Sequence, residues 1–227
     1  MKNNNSVHLE GVVESCKLAG EVSGKTVAKL SVITLHPKEG IDAGASPSQK
    51  YERYRHMVRL VMDGEGVAVV KSLERELAME KASSQPDIAS LHPCIIEGTL
   101  RSQDGENFVE ASNEGFSLTD RVRTRDNNVA HIVGKVVSTS YTDESARIRV
   151  ATAEGVVNSF FPRSVNQAGW EAVSSGKLKK GDVVSMDGPM LSAEFSDGKK
   201  TLRTYMVTPH HISRQKLERK VSSQQTM

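Results

Sequence analysis

Residues 178–190 read LKKGDVVSMDGPM, and the second half of this stretch gives the first indication of the fold. Its last five residues, 186–190 (MDGPM), parallel residues 96–100 (IEGTL) in the first half of the chain. Both stretches place a glycine among apolar residues, which is typical of a strand that bends or lets another backbone approach closely. The correspondence is the first sign that a strand-rich unit occurs twice.

Two further pairs of segments follow in the same order along the chain. Residues 8–11 (HLEG) parallel residues 131–134 (HIVG), and residues 28–32 (AKLSV) parallel residues 146–150 (ARIRV). Each match is weak alone, but three matches in one order predict an internal duplication. Gly11 and Gly134 have equivalent positions in the first strand of the two units, and a first strand that belongs to a small closed barrel has to bend sharply at such a position.

Hydrophobic periodicity gives both halves the same order of elements. In the first half it predicts strands at 7–19, 25–34 and 51–62, a helix at 67–81, and a hairpin of 94–101 with 107–111. In the second half it predicts strands at 129–140, 146–152 and 156–161, a helix at 164–174 with Ser164 as N-cap, and a hairpin of 182–193 with 201–208. The predicted fold is mainly β, with two tandem five-stranded OB-fold barrels that each carry one helix between strands three and four.

The predicted domain boundaries follow from the repeat. Residues 1–120 form a first OB-fold domain that differs from the second by a long loop at 36–50. Residues 121–128 form a linker, because charged residues and asparagines replace the apolar pattern there. Residues 129–212 form the second OB-fold domain, and residues 213–227 form a polar, basic tail that we expect to be flexible.

Residues 178–190 resemble a segment of the bacterial single-stranded DNA-binding (SSB) proteins, in which a helix precedes the pattern K-G-x-x-V-x-x-x-G-x-L. Residues 195–199 (FSDGK) are similar to that family's hairpin tip, and residues 133–136 (VGKV) to its first strand. The resemblance covers most of 129–212 but only the outline of 7–119. It implies an OB fold that binds single-stranded DNA. In place of the family's acidic, partner-recruiting tail, residues 213–227 are polar and basic, so the resemblance does not imply that replication proteins are recruited.

Candidate binding residues lie on the predicted strands two and three, where an OB barrel binds its ligands. Cations contact the phosphates of a single strand, and aromatic rings stack on its bases. Arg147 and Arg149 alternate with apolar residues and therefore share one outward face, and Lys29 has the corresponding position in the first half. The alternative for all three is an ordinary solvated strand face.

Two further groups combine aromatic and cationic side chains. Tyr51, Arg53 and Arg55 share one face of strand three in the first half; the alternative is an edge strand kept soluble by its charge. Phe195, Lys199 and Lys200 lie at the predicted tip of the last hairpin, where Phe195 either stacks on a base or folds back on the barrel.

The adjacent Phe160 and Phe161 should point to opposite sides of their strand, and Trp170 in the short helix is expected to pack in the core or an interface. With five Phe, four Tyr and one Trp in all, the chain has few rings to stack on bases. We therefore expect its affinity to depend more on charge than on stacking.

The composition excludes several classes of protein. Of the 227 residues, 37% are hydrophobic and 26% charged, which is typical of a soluble globular chain. The apolar runs are strand-sized, far below the roughly 20 residues of a membrane helix, and the N-terminus lacks a signal peptide. We therefore expect a cytoplasmic protein without membrane contact.

No catalytic or metal-binding pattern is found in the sequence. Phosphate-loop and nucleophile-elbow motifs are absent, and His131, His210 and His211 lack the spacing of a zinc site. The prediction is a non-enzyme without metal or cofactor that binds single-stranded DNA with little sequence preference, in replication, repair, recombination or plasmid transfer. Its barrels lie side by side or assemble further into a homodimer. Two alternatives stay open: a protein-interaction module that binds no nucleic acid, and an RNA-binding protein.

Overall fold

The computed structural model describes residues 5–38, 47–82, 92–103, 106–121, 127–196 and 201–214. The first half contains β1 (Ser6–Val22), β2 (Lys25–Pro37), α1 (Pro47–Lys50), β3 (Tyr51–Met62), α2 (Glu65–Ala82), β4 (His92–Gln103), β5 (Glu106–Ser112) and β6 (Phe116–Leu118). The second half contains β7 (Asn128–Tyr141), β8 (Ser145–Thr152), β9 (Gly155–Pro162), α3 (Gln167–Ser174), β10 (Val183–Gly188), β11 (Met190–Ser196), β12 (Thr201–Val207) and β13 (His211–Arg214). Each predicted strand and helix has a counterpart, and α1, β6 and β13 are additional.

Five strands of the first half close into a barrel. β1 pairs antiparallel with β2 and β4, β2 with β3, and β4 with β5, and the parallel pairing of β3 with β5 completes the ring. Leu9, Leu30 and Leu60 point inward and are fully buried. Val70 and Leu73 of α2 join the same core. A closed five-stranded barrel with a helix between its third and fourth strands is the OB fold.

The strands of the second half pair in the same order. β7 pairs antiparallel with β8 and β10, β8 with β9, and β11 with β12, while β12 runs parallel to β9. The paired strands follow the order β10, β7, β8, β9, β12, β11. Only Pro189 separates β10 from β11, so the first and last strands of this order are adjacent in the sequence. Ile132, Phe161 and Met190 fill its interior and are fully buried.

A buried asparagine makes the same contact in each half. Asn5, just before β1, donates from Nδ2 to the carbonyl oxygen of Leu100 at 2.8 Å, and its Oδ1 accepts the Leu100 amide at 3.2 Å. Asn128, at the start of β7, makes the matching pair of bonds with Met190 at 2.6 and 3.1 Å. Both asparagines therefore satisfy two backbone groups that cannot reach water. Asn127 and Asn128, at the end of the predicted linker, are buried.

Glycine is required at the bend of the first strand in each half, as the repeat predicts. A Cβ on Gly11 would lie 2.4 Å from the carbonyl oxygen of Ile33, and a Cβ on Gly134 would lie 2.4 Å from that of Ala151. Any side chain at either position would therefore push β2 away from β1, or β8 away from β7.

β1 and β7 join the two halves by antiparallel pairing. The pairing is centred on Val7 and Ala130, which hold equivalent positions in the two repeats and face each other. The junction is therefore symmetric, and the sheet runs without a break through β3, β2, β1, β7, β8 and β9.

A histidine lies beside a carboxylate on each side of this junction. Nδ1 of His8 donates to Glu97 at 2.5 Å and Nε2 contacts Glu10 at 3.1 Å, and Nδ1 of His131 contacts Asp187 at 2.5 Å. Burial disfavours the charged form of His8, but the hydrogen bonds and negative charges of Glu97 and Glu10 outweigh it. The pKa of His8 is therefore raised above its ordinary value.

The third helix starts later than predicted. Its N-cap is Asn166, whose Oδ1 accepts the amide of Gly169 at 2.8 Å. Ser164, the predicted N-cap, lies in a turn in which the amides of Val165 and Asn166 donate to Pro162, so the prediction for Ser164 is wrong. Within the residues that the structure describes, no helix is long and apolar enough to cross a membrane.

Candidate nucleic-acid interface

β8 exposes the two arginines that the sequence singles out. Arg147 and Arg149 are exposed, whereas Ala146, Ile148 and Val150 on the opposite side of the strand are buried in the core. The two guanidinium groups therefore point away from the core on the same side of β8. Neither forms an ion pair with another residue in the described part of the chain.

We call the outward side of β7, β8 and β9 the second-half face. Its residues lie in three rows across the strands: Lys135–Ala151–Val156, Ser138–Arg149–Asn158 and Ser140–Arg147–Phe160. All nine positions are described, and none of them is acidic. The face therefore offers three positive charges in a setting of hydroxyl, amide and apolar groups.

An aromatic ring lies beside Arg147 on this face. The guanidinium carbon of Arg147 is 5.4 Å from the ring centroid of Phe160, within the range of a cation–π contact. Phe160 is half-buried and faces outward, and Phe161 is fully buried in the core. The adjacent phenylalanines thus point to opposite sides as predicted, and the outward one is Phe160.

The first-half face is the corresponding outward side of β1, β2 and β3. Its rows are Val12–Ile33–Arg55, Ser15–Ser31–Met57 and Lys17–Lys29–Arg59. Lys29 is exposed and occupies the position that Arg147 has in the second half. Arg59 lies in the position of Phe160 and is 5.7 Å from the ring of Phe108.

The predicted group on β3 is engaged within the protein. Arg55 donates from Nε and Nη2 to the carboxylate of Glu14, both at 2.5 Å. Tyr51 packs against the buried cluster of Val12, Ile33 and Leu35. Arg53 is exposed. Tyr54 lies on the other side of the strand and donates to Glu52.

The predicted group at the last hairpin is only partly described. Phe195 lies on β11 and pairs with Leu202 of β12, but Lys199 and Lys200 fall outside the described residues. The structure thus brings Arg147 and Arg149 together on one face, and Lys29 and Arg55 on the other.

The fold has close counterparts among solved structures, although no protein-family model and no curated protein matches the sequence. The crystal structure of the single-stranded DNA binding protein from Thermus aquaticus superposes with a TM-score of 0.59 at 15% identity, covering 95% of both chains. A deletion mutant of that protein gives a TM-score of 0.56 at 17% identity, covering 95% of this chain and 97% of the other. This chain has the OB fold of those structures. At such low identity the likeness shows the fold alone.

One cluster on this OB fold was not anticipated from the sequence. Trp170 on α3 donates from Nε1 to the carbonyl oxygen of Thr142 at 2.8 Å, and the guanidinium carbon of Arg163 lies 4.2 Å from its ring centroid. Trp170 also packs against the core. The tryptophan therefore ties α3 to the turn between β7 and β8, in agreement with the packing role predicted for it.

Proposed function

We propose that this chain consists of two OB barrels in tandem and binds single-stranded DNA without chemical turnover. The barrels correspond to residues 1–120 and 129–212, joined by 121–128 and followed by the tail 213–227. The observation that supports this best is the second-half face, where Arg147 and Arg149 are exposed beside Phe160 and no acid lies among them.

The chemistry of this face suits a flexible, unpaired strand. Two arginines on one side of a strand place guanidinium groups where successive phosphates can pass, and Phe160 offers a ring for a base. Ser138, Ser140 and Asn158 add groups that can hydrogen-bond to sugar or base edges. Such contacts depend on the backbone and on ring faces rather than on base identity, so binding has little sequence preference.

The fold comparison agrees with this proposal. The protein from Thermus aquaticus with the same fold is described as a single-stranded DNA binding protein, and OB barrels commonly bind oligonucleotides on strands two and three.

The full set of proposed binding residues contains nine side chains, and we add Phe160 and Lys135 to them. The nine are Lys29, Tyr51, Arg53, Arg55, Arg147, Arg149, Phe195, Lys199 and Lys200. Roles in replication, repair, recombination or plasmid transfer belong to the same proposal, as does assembly of the chain into a homodimer.

Fluorescence anisotropy with a labelled oligo(dT) tests the function. The wild type should bind, and the logarithm of its affinity should fall linearly with the logarithm of salt concentration, because bound phosphates release counterions. The double variant Arg147→Gln/Arg149→Gln should lower the slope by about 1.4, since each lost phosphate contact on a single strand contributes roughly 0.7.

A matched control carries the same change of charge elsewhere. Lys71 and Arg75 are exposed on α2 of the first half, so Lys71→Gln/Arg75→Gln removes two positive charges from an element outside the second-half face. If both double variants lower the affinity and the salt slope equally, binding depends on net charge alone and not on the second-half face. Absence of binding by the wild type at low salt would overturn the function itself.

A further inference from the structure

We infer that the carboxylate of Glu14 occupies, on the first-half face, the place that a DNA phosphate takes on the second-half face, so that the two barrels bind a strand unequally. This inference rests on the proposed function and assigns Glu14 as the residue that restrains the first barrel. It follows from contacts within one chain whose two halves can be compared position by position.

Glu14 sits at an irregularity of β1 that both halves share. The register of β1 against β2 shifts between Val13 and Ser15, and the register of β7 against β8 shifts between Val136 and Ser138. Glu14 therefore has Val137 as its counterpart. The same bulge carries an acid in one barrel and an apolar side chain in the other.

The Glu14 carboxylate is surrounded by donors. Oε2 accepts the hydroxyl of Ser31 at 2.8 Å and Nε of Arg55, and Oε1 accepts Nη2 of Arg55. A two-point contact between a guanidinium group and a pair of anionic oxygens is also the contact that arginine makes with phosphate. Glu14 thus satisfies Arg55 in the way that a bound strand would.

A second acid, Glu110, lies beside two more arginines of the first barrel. Glu110 lies 3.9 Å from Nε of Arg59 and 3.2 Å from Nη2 of Arg101. Arg59 also donates to Gln103 at 3.3 Å. The arginines of this barrel that lie near the face are therefore already paired, apart from Arg53.

The equivalent positions of the second barrel lack such acids. Val137 stands for Glu14, and Arg149 stands for Ser31. Lys135 replaces Val12, which is buried together with Ile33 in the first barrel. The backbone register is thus the same, but the charges are placed differently: the second-half rows hold three cations, and the first-half rows hold four, of which Arg55 is paired with Glu14.

The energetic consequence is a difference in binding between the two barrels. A phosphate that reaches Arg55 has to displace Glu14, so it gains one charged contact and breaks another. Arg149 has no acidic partner among the described residues, so a phosphate that reaches it displaces no carboxylate. Because a phosphate at Arg55 only takes the place of the Glu14 carboxylate, this contact adds little affinity and releases no additional counterion.

The test compares Glu14→Gln with Glu114→Gln in the full chain. Glutamine keeps the size of the side chain and a hydrogen bond to Arg55 but removes the charge. Glu114 is exposed in the short 3₁₀-helix Asn113–Gly115 and gives the same change of net charge. We expect Glu14→Gln to bind labelled oligo(dT) about fivefold more tightly at low salt and to steepen the salt slope by about 0.7, the value for one added phosphate.

A double variant separates the proposed contact from general charge. Adding Arg55→Gln to Glu14→Gln should remove the gain and return the slope to that of the wild type. If Glu14→Gln and Glu114→Gln change affinity and slope equally while the wild type binds, the inference is overturned and the proposed function stands. If the wild type does not bind, the function is overturned and the inference with it.

Discussion

Replacement of Asn128 by alanine should strongly destabilise the protein, although the side chain removed is small and polar. Asn128 is 3% exposed and makes two hydrogen bonds to the backbone of Met190. Alanine leaves the amide and the carbonyl oxygen of Met190 without partners, and Met190 itself is fully buried. At about 1–3 kcal/mol for each of the two unsatisfied groups, the expected loss is roughly 2–6 kcal/mol, a large part of a typical folding free energy.

Urea unfolding measures this loss, and its design follows from the repeat. The only tryptophan, Trp170, reports on the second half, and far-ultraviolet circular dichroism reports on the whole chain. Asn5→Ala should cost a similar amount, because Asn5 makes the matching pair of bonds with Leu100. A loss below about 0.5 kcal/mol, the usual range of surface substitutions, would refute the reasoning.

Asn128→Asp provides a sharper form of the same test. At neutral pH a carboxylate would face the carbonyl oxygen of Met190, which the Asn128 amide now contacts at 2.6 Å. Burial would raise the pKa of the new carboxyl in the folded state, and the protonated acid can donate as the amide does. The variant should therefore be less stable than Asn128→Ala at neutral pH and recover as the pH falls towards the acid's unfolded pKa of about 4. A loss that does not change with pH would contradict the assigned direction of the hydrogen bond.

Three further predictions follow from the described contacts. Phe160→Leu should weaken oligo(dT) binding by roughly 1–3 kcal/mol if a base stacks there and leave stability nearly unchanged, whereas Phe161→Leu should lower the urea midpoint and spare affinity; the reverse pattern would contradict the assignment of the two rings. Gly134→Ala should lower the free energy of unfolding by about 1–3 kcal/mol through overpacking, because its Cβ would lie 2.4 Å from the Ala151 oxygen. Gly176→Ala is the control for backbone strain without a close contact, because this position has open space and a φ of +73°. His8→Gln should lower stability more at pH 5.5 than at pH 8.5. The pKa of His8 is raised in the folded state, so the charged imidazole stabilises the fold below the unfolded pKa of about 6.5 and no longer does so above the folded pKa. An equal loss at both pH values would exclude a charged pair of His8 with its carboxylates.

The backbone architecture could be predicted from the sequence because its signals are local. Alternation along 28–32 and 146–150 places Arg147 and Arg149 outside without any knowledge of the third dimension. The bend glycines Gly11 and Gly134 are visible because no other residue fits beside the carbonyl oxygen of the next strand. The alternation depends on neighbours one or two positions away, and the glycines are recognised by their residue type and by the repeat, so one sequence suffices to find both.

The side-chain pairing on the faces could not be predicted, because it depends on the register between strands. Glu14 and Arg55 are 41 positions apart, and their contact requires both the bulge in β1 and the pairing of β2 with β3. The role of Asn128 was missed for a related reason. An asparagine pair beside charged residues is typical of a linker, and only the position of Met190, 62 residues later, shows that the amide of Asn128 is a buried backbone partner.

The two halves also separate what the fold needs from what the faces do. The contacts that both halves keep join neighbouring segments of the fold: an asparagine on a backbone amide and carbonyl, a glycine against a carbonyl oxygen, and a histidine beside a carboxylate. Each half keeps its strand pairing with these contacts in place, although the residues at five of the nine equivalent outward positions differ in charge. The first half keeps its strand pairing with Lys29 and Ser31 at the positions of Arg147 and Arg149, so the fold does not require arginine there. We therefore expect Arg147 and Arg149 to serve a ligand outside the fold, and the pairing of Arg55 with Glu14 shows that the same backbone register also occurs with a carboxylate against this surface.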